Sequence, residues 1–195
     1  MKNQDRLWEI SKQQQGIFTA EQAKSAGYRD SNFAKYIQSG AWERIQRGIY
    51  CLTKFPTYNR PELVVWTLWS LNTREPGMGV WTHETALEIF DLSDVNPTQM
   101  HMTVPFGFRR TKKPDFIHLH FGTLSKLEIQ KIDGYYVTTP IRTLVDIFRE
   151  ESFDPSLLHQ CVNEAISKGL ITKIELARAK QHYPEIEKIL EMIDE

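Results

Sequence analysis

The spacing of apolar residues changes several times along the chain. From Asn3 to Gln14, Leu7, Trp8 and Ile10 recur at helical intervals, and Gly16 closes the segment. Ile17 and Phe18 form a short apolar step. Thr19 followed by Gln22 is the pattern of a capping box, which predicts a helix from Ala20 that stops before Gly27. A third helix is predicted from Asp30 or Ser31 to Ser39, ended by Gly40. At about 100° per residue, Phe33, Tyr36 and Ile37 fall on one side of it. Ser31, Asn32, Lys35, Gln38 and Ser39 fall on the other, which is small, polar and cationic and holds no acid. Trp42–Ile45 and Ile49–Leu52 read as two short strands around Gln46-Arg47-Gly48, where Gly48 suits a positive φ. Their alternation is imperfect, which predicts a bulge. Helix, short strand, helix, helix, hairpin is the order of a winged helix-turn-helix, with Ile17-Phe18 as the third strand.

Beyond this head, "KFPTYNRP" (Lys54 to Pro61) carries two prolines and no periodicity, and reads as a linker. Glu62 to Asn72 is a strongly apolar helix, in which Trp66 and Trp69 are core residues. A further helix begins at "THETALEIF" with Thr82 as its cap. "QMHMTVP" and "DFIHLHF" alternate with period two and read as strands, joined by the basic loop "FGFRRTKKP". "GYYVTTP" is a short strand, and "IRTLVDIF" a helix with Pro140 near its first turn. Asp154 caps a helix to Lys168. Thr172 with Glu175 is a second capping box, and Pro184 opens a last, acidic helix to Glu195. The expected fold class is α/β (α+β): a winged helix-turn-helix at residues 1–55, then a mixed α/β domain at 56–195 with a small sheet and a helical C-terminus.

Composition narrows the function classes. Apolar residues make up 41% of the chain and charged residues 25%, which supports a folded core and argues against disorder. No run of 18 apolar residues occurs, so no membrane span or membrane partner is expected. "MKNQDRLWEI" lacks the apolar stretch of a signal peptide, and Cys51 and Cys161 lack any CxxC spacing. The expectation is a cytoplasmic protein with two reduced thiols. The net charge of −1 hides an asymmetry. The first 55 residues carry nine Lys/Arg against five Asp/Glu, a balance of +4, and the remainder carries fifteen against twenty, a balance of −5. A basic head on an acidic body points to a polyanionic partner.

A winged helix lays its third helix in the major groove and reaches flanking phosphates with its hairpin tip. Short polar side chains on the helix let it approach the base edges, and arginine at the tip meets the backbone. Ser31, Asn32, Lys35 and Gln38 meet the first need, Arg44 and Arg47 the second. Arg109, Arg110, Lys112 and Lys113 form the densest cationic cluster in the chain, and are candidates for a second phosphate contact.

Other chemistry is less well supported. His118 and His120 share a strand face, His101 lies on the preceding strand, and His83 begins a helix. Four histidines could build a metal site, but no cysteine or carboxylate stands at ligand spacing with them, so a polar strand face is the reading adopted and no metal is assigned. A restriction-type nuclease needs an acid-x-Lys pair on a strand. Asp115 follows Lys112 and Lys113, Glu84 and Asp94 lie on helix or loop, and no such pair is present. No P-loop, GxSxG or GxGxxG occurs, so no catalytic residue and no cofactor is assigned. Arg142 and Asp146 are four apart on one helix and read as a structural ion pair.

"GIFTAEQAKSAGYRDSNFAKYIQSGAWERIQRGIYCL" resembles the N-terminal winged helix of the AbiEi antitoxin family, in its "GIFTA" entry, the "AG" before the third helix, and "GAWERIQRGIY". "THETAL" and "VTTPIRTLVDIF" are similar to the C-terminal part of those proteins. The resemblance implies a bacterial antitoxin of a type IV toxin–antitoxin system. Its head would bind operator DNA, with inverted repeats expected, and repress its own operon. Its C-terminal domain would counter a nucleotidyltransferase-like toxin without a stable complex. Carried over by position, the DNA-contact candidates are the six residues of the third helix and hairpin named above. The chain is more compact than longer family members, and its acidic tail has no counterpart in the resemblance. Two other classes stay open: a protein-interaction module without DNA binding, and a metal-dependent nuclease.

Overall fold

Leu7 anchors the first helix. The computed structural model describes residues 2–56, 59–71, 78–92, 97–110, 112–150 and 153–194. In it α1 (Asn3–Ser11) tightens into a 3-10 turn at Lys12–Gln14. Leu7 is 1% exposed, whereas Trp8, its neighbour in the predicted apolar stripe, is 43% exposed and leans on Phe55 with ring centroids 5.2 Å apart. Adjacent helical residues point about 100° apart, so a single contact line takes one of the two. The helix ends where Gln15 turns left-handed at φ 56 and the Gly16 N–H returns to the Ser11 carbonyl.

β1 (Ile17–Thr19) leads into α2 (Ala20–Ser25) through the predicted capping box. The Gln22 N–H donates to Thr19 Oγ1 at 3.1 Å, and the Thr19 N–H donates to Gln22 Oε1 at 2.8 Å. The third helix is shorter than predicted: Asp30–Asn32 form a 3-10 turn, and α3 proper is Phe33–Gln38. β2 (Trp42–Gln46) and β3 (Ile49–Leu52) form the hairpin, and β1 adds to it antiparallel, in the order β1-β3-β2. Ile17 faces Cys51 and Phe18 faces Tyr50. The predicted bulge falls between Arg44 and Gln46, and Gly48 takes φ 80 in the turn. Leu7, Phe18, Ala23, Ala26, Phe33, Trp42 and Tyr50 form the core of this head, an arrangement consistent with a winged helix.

The chain divides into two compact units, Met1–Met78 with Lys131–Tyr136, and Gly79–Gln130 with Val137–Glu195. The first therefore runs past the predicted linker, whose Thr57 and Tyr58 lie outside the described residues, and includes α4 (Pro61–Ser70). α4 buries Leu63, Val64, Val65 and Leu68, while Trp66 and Trp69 are half-buried rather than core, with ring centroids 5.7 Å apart.

In the second unit, β4 (Val80–Trp81) and α5 (His83–Ile89) precede β5 (Met100–Val104) and β6 (Ile117–Phe121). β7 (Ile129–Ile132) and β8 (Tyr135–Thr138), whose Lys131–Tyr136 stretch is grouped with the first unit, follow in a sheet of order β6-β5-β4-β8-β7. β4 is antiparallel to β5 and parallel to β8. β5 and β6 run parallel, from Met100 beside Ile117 to Val104 beside Phe121. A parallel pair needs a long connection, which the basic loop supplies. Thr82 occupies the N-cap position of α5 without capping it: its hydroxyl bonds Thr103 Oγ1 at 3.1 Å and His83 Nδ1 at 2.9 Å.

α6 (Pro140–Arg149), α7 (Pro155–Ser167), α8 (Lys173–Ala179) and α9 (Ile186–Asp194) complete the fold. Their apolar faces, with Leu144, Val145, Ile147, Leu158, Val162 and Leu176, form a second core. Asp154 caps α7 by accepting the Ser156 N–H at 2.8 Å, and Thr172 with Glu175 forms the predicted capping box of α8. α9 starts two positions after Pro184. The Ile186 N–H bonds the Tyr183 carbonyl and the Glu187 N–H bonds the Pro184 carbonyl, so a tight turn precedes the helix.

The predicted Arg142–Asp146 pair forms at 2.8 Å and belongs to a larger network. Arg142 also bonds Glu128, which accepts the Tyr183 hydroxyl at 2.7 Å and the Ser125 N–H at 2.6 Å. Burial pushes Asp146 up to about 6, with Arg142 opposing. Burial also works against the Glu128 carboxylate, but hydrogen bonds from Tyr183, Ser125 and Arg142 outweigh it and hold Glu128 down to about 2. Glu128→Gln is expected to cost about 3 kcal/mol at pH 7, the low end for breaking a buried pair, because Asp146 still faces Arg142. The ordinary value of Glu128 is 4.5 and its folded value lies below that, so its contribution is present above about 4.5 and is lost toward about 2. Urea unfolding of wild type and Glu128→Gln should show a stability gap at pH 7 that narrows through that window. A gap constant down to pH 2.5 would remove the charge from the account.

Candidate nucleic-acid interface

The head displays its candidate residues on three consecutive elements. Ser31 and Asn32 lie in the 3-10 turn, Lys35 and Gln38 on α3, and Arg44 and Arg47 on β2 and the hairpin turn. Ser31, Asn32, Lys35, Arg44 and Arg47 are exposed or half-exposed, as is Gln38. The backbone is held from below by rings. Phe33 and Tyr36 on α3 pack on Trp42 of β2, with centroids 5.2 and 4.8 Å away, and the Tyr36 ring stacks on the indole at 23°. Tyr36 is thus half-buried support for the polar face. Gly40 ends the helix at φ 70, and its N–H bonds the Ile37 carbonyl.

The charges on this face are not neutralised internally. Among the described residues, Lys35, Arg44 and Arg47 form no ion pair, whereas Lys24 on α2 is held by Glu21 and approaches Asp30 at 4.0 Å, and Lys12 at the start of the 3-10 turn after α1 pairs with Glu9 at 2.6 Å. Unpaired exposed cations retain their full attraction for an outside anion and carry no desolvation cost until it arrives. Arg29, just before the 3-10 turn, is also without an ion pair among the described residues. The prediction from helical faces missed it because it precedes the first helical position.

Arg109, Arg110, Lys112 and Lys113 are exposed in the β5–β6 connection of the second unit, and Thr111 between them lies outside the described residues. Arg109, Arg110 and Lys113 line one groove with Phe108, Leu119 and Phe121. This loop and the head belong to different units, so the cationic candidates fall into two sets.

The four histidines do not behave as a uniform strand face. His118 is exposed, while His83, His101 and His120 converge from α5, β5 and β6 with one ring nitrogen of each within 4.8 Å of the others. Asp115 is exposed, Glu84 is on α5, and Asp94 lies outside the described residues.

Residues 5–53 match the family model of a transcriptional regulator, the AbiEi antitoxin. No curated protein matches the chain. Among solved structures, the Rv2827c protein of Mycobacterium tuberculosis is similar over 98% of this chain and 76% of its own, at 14% identity and a TM-score of 0.49. No helix of the described residues is long and apolar enough to cross a membrane.

Proposed function

We propose that the protein is a DNA-binding autorepressor and antitoxin of a type IV toxin–antitoxin system, a reading supported by the match of residues 5–53 to the family model of the AbiEi antitoxin, a transcriptional regulator. The observation that carries the DNA-binding part is the set of exposed, unpaired cations Lys35, Arg44 and Arg47, on a short polar helix and a hairpin tip that share one aromatic support. In this reading α3 enters the major groove of the protein's own operator. Ser31, Asn32, Lys35 and Gln38 face base edges, and the hairpin meets backbone phosphate. The second unit supplies the antitoxin activity against a nucleotidyltransferase-like toxin without a stable complex, and the basic loop gives additional phosphate contact. The protein acts in the cytoplasm and performs no catalytic step.

Fluorescence anisotropy on the DNA upstream of the protein's own gene tests the proposal. Arg47→Ala should weaken binding to all duplexes alike and reduce the log–log salt slope by about one. Lys35→Ala should instead change the preference among operator variants. A protein that binds upstream and scrambled duplexes equally, with no salt dependence, would end the repressor reading and favour a protein-interaction module.

A further inference from the structure

His118 is exposed, as a polar strand face requires. The other three are not. A solvated face would send successive polar rings outward, whereas His83 is buried and His101 and His120 are half-buried, and all three meet. The His83 and His120 rings stack with centroids 3.7 Å apart at 9°, and His101 Nδ1 lies 3.0 Å from His120 Nε2. We propose that His83, His101 and His120 form a site for one divalent transition-metal ion of the zinc class, with the Glu150 carboxylate closing it.

Geometry supports the assignment at each ligand. His83 Nδ1 lies 2.9 Å from Thr82 Oγ1, which lies 3.1 Å from Thr103 Oγ1. Donation from Nδ1 to that hydroxyl leaves the lone pair on Nε2, and Nε2 lies 3.5 Å from Glu150 Oε1. The same carboxylate oxygen is 3.9 Å from His120 Nδ1, the ring nitrogen that does not face His101, so Glu150 reaches the site beside His83. On the far side, His101 Nε2 lies 3.9 Å from Glu84 Oε2, a second carboxylate placed to orient a ligating ring from outside. In a tetrahedral site with metal–nitrogen bonds of about 2.0–2.1 Å, ligand nitrogens sit about 3.3–3.4 Å apart. The His101–His120 separation is a few tenths of an ångström short of that edge.

One further feature favours a metal over a simple polar cluster. His83 holds φ 52, a left-handed conformation that is strained for a non-glycine residue and concentrates at functional sites. The donor set of imidazoles and one carboxylate suits zinc, cobalt, nickel or copper, and not calcium or magnesium, which want oxygen. A bound ion would tie the start of α5, β5, β6 and the end of α6 together. The inference is independent of the DNA-binding reading.

The test uses the full-length protein stripped with chelator and titrated with Co(II) and Zn(II). The expected result is one equivalent bound, with cobalt showing the visible bands of a four- or five-coordinate ion. Affinity should fall at least tenfold in His101→Asn and His120→Asn and stay within twofold in His118→Gln. Where a variant loses its cooperative melt, 15N-histidine spectra of the wild-type protein decide. Zn(II) should move the ring-nitrogen signals of His83, His101 and His120, and leave His159 and His182 in place. Absence of one-equivalent binding, or binding whose affinity or nitrogen shifts report other histidines, overturns the site.

Discussion

Replacing Lys35, Arg44 and Arg47 together by alanine is expected to weaken binding to the upstream duplex by about 100-fold at moderate salt, taking about 1 kcal/mol for each charged contact to base edge or phosphate removed. The three side chains are exposed and unpaired among the described residues, so their removal takes nothing from the core. What disappears with the two hairpin arginines is counterion release. Each phosphate neutralised contributes about 0.9 to the log–log salt slope, so losing Arg44 and Arg47 should flatten the slope by about 1.8. Lys12→Ala is the matched control. It removes one positive charge from the same unit, already paired with Glu9 at 2.6 Å, and it should leave the slope unchanged. Anisotropy titrations between about 50 and 200 mM KCl provide the measurement. A triple variant with the wild-type slope would mean that other cations meet the phosphates, and the head would lose its assigned binding face.

Signals confined to a few residues of sequence were legible. The Thr19–Gln22 and Thr172–Glu175 capping boxes form as spaced, and the imperfect alternation of "WERIQRGIY" becomes a bulge between Arg44 and Gln46. The outward placement of the head candidates follows from a helical face whose apolar members, Phe33, Tyr36 and Ile37, are claimed by one core. Features decided by distant partners were not legible. The Thr82 hydroxyl is drawn from the helix end to Thr103 and His83, which the sequence around residue 82 does not announce. Period two marks a strand without its direction, so parallel β5 and β6 could not be told from a hairpin. β4 is two residues long and carries no periodicity. Spacing rules for metal ligands look along the chain, whereas His83, His101 and His120 meet only because α5, β5 and β6 do. Glu150, the carboxylate missing from that spacing, arrives from the end of α6.

Trp42→Ala is expected to unfold the head and abolish DNA binding with it. Trp42 is 3% exposed, and the rings of Phe18, Tyr28, Phe33, Tyr36 and Tyr50 lie 4.9, 4.9, 5.2, 4.8 and 6.0 Å from its own. Truncating a buried Trp costs about 3–5 kcal/mol, and each edge-on or stacked ring pair broken with it adds about 0.5–1.5 kcal/mol. A small module with one compact aromatic core has about 5 kcal/mol or less to lose. The site also links α3, through Phe33 and Tyr36, to the hairpin, through Trp42 itself, so both bearers of the proposed DNA contacts depend on one side chain. Hydrogen exchange should show amides of residues 17–52 losing protection in Trp42→Ala. Trp42→Phe, which keeps a ring against Tyr36, should retain most of the protection and most of the affinity. If Trp42→Ala keeps both its protection and its affinity, the helix and hairpin are held in place by something other than this indole.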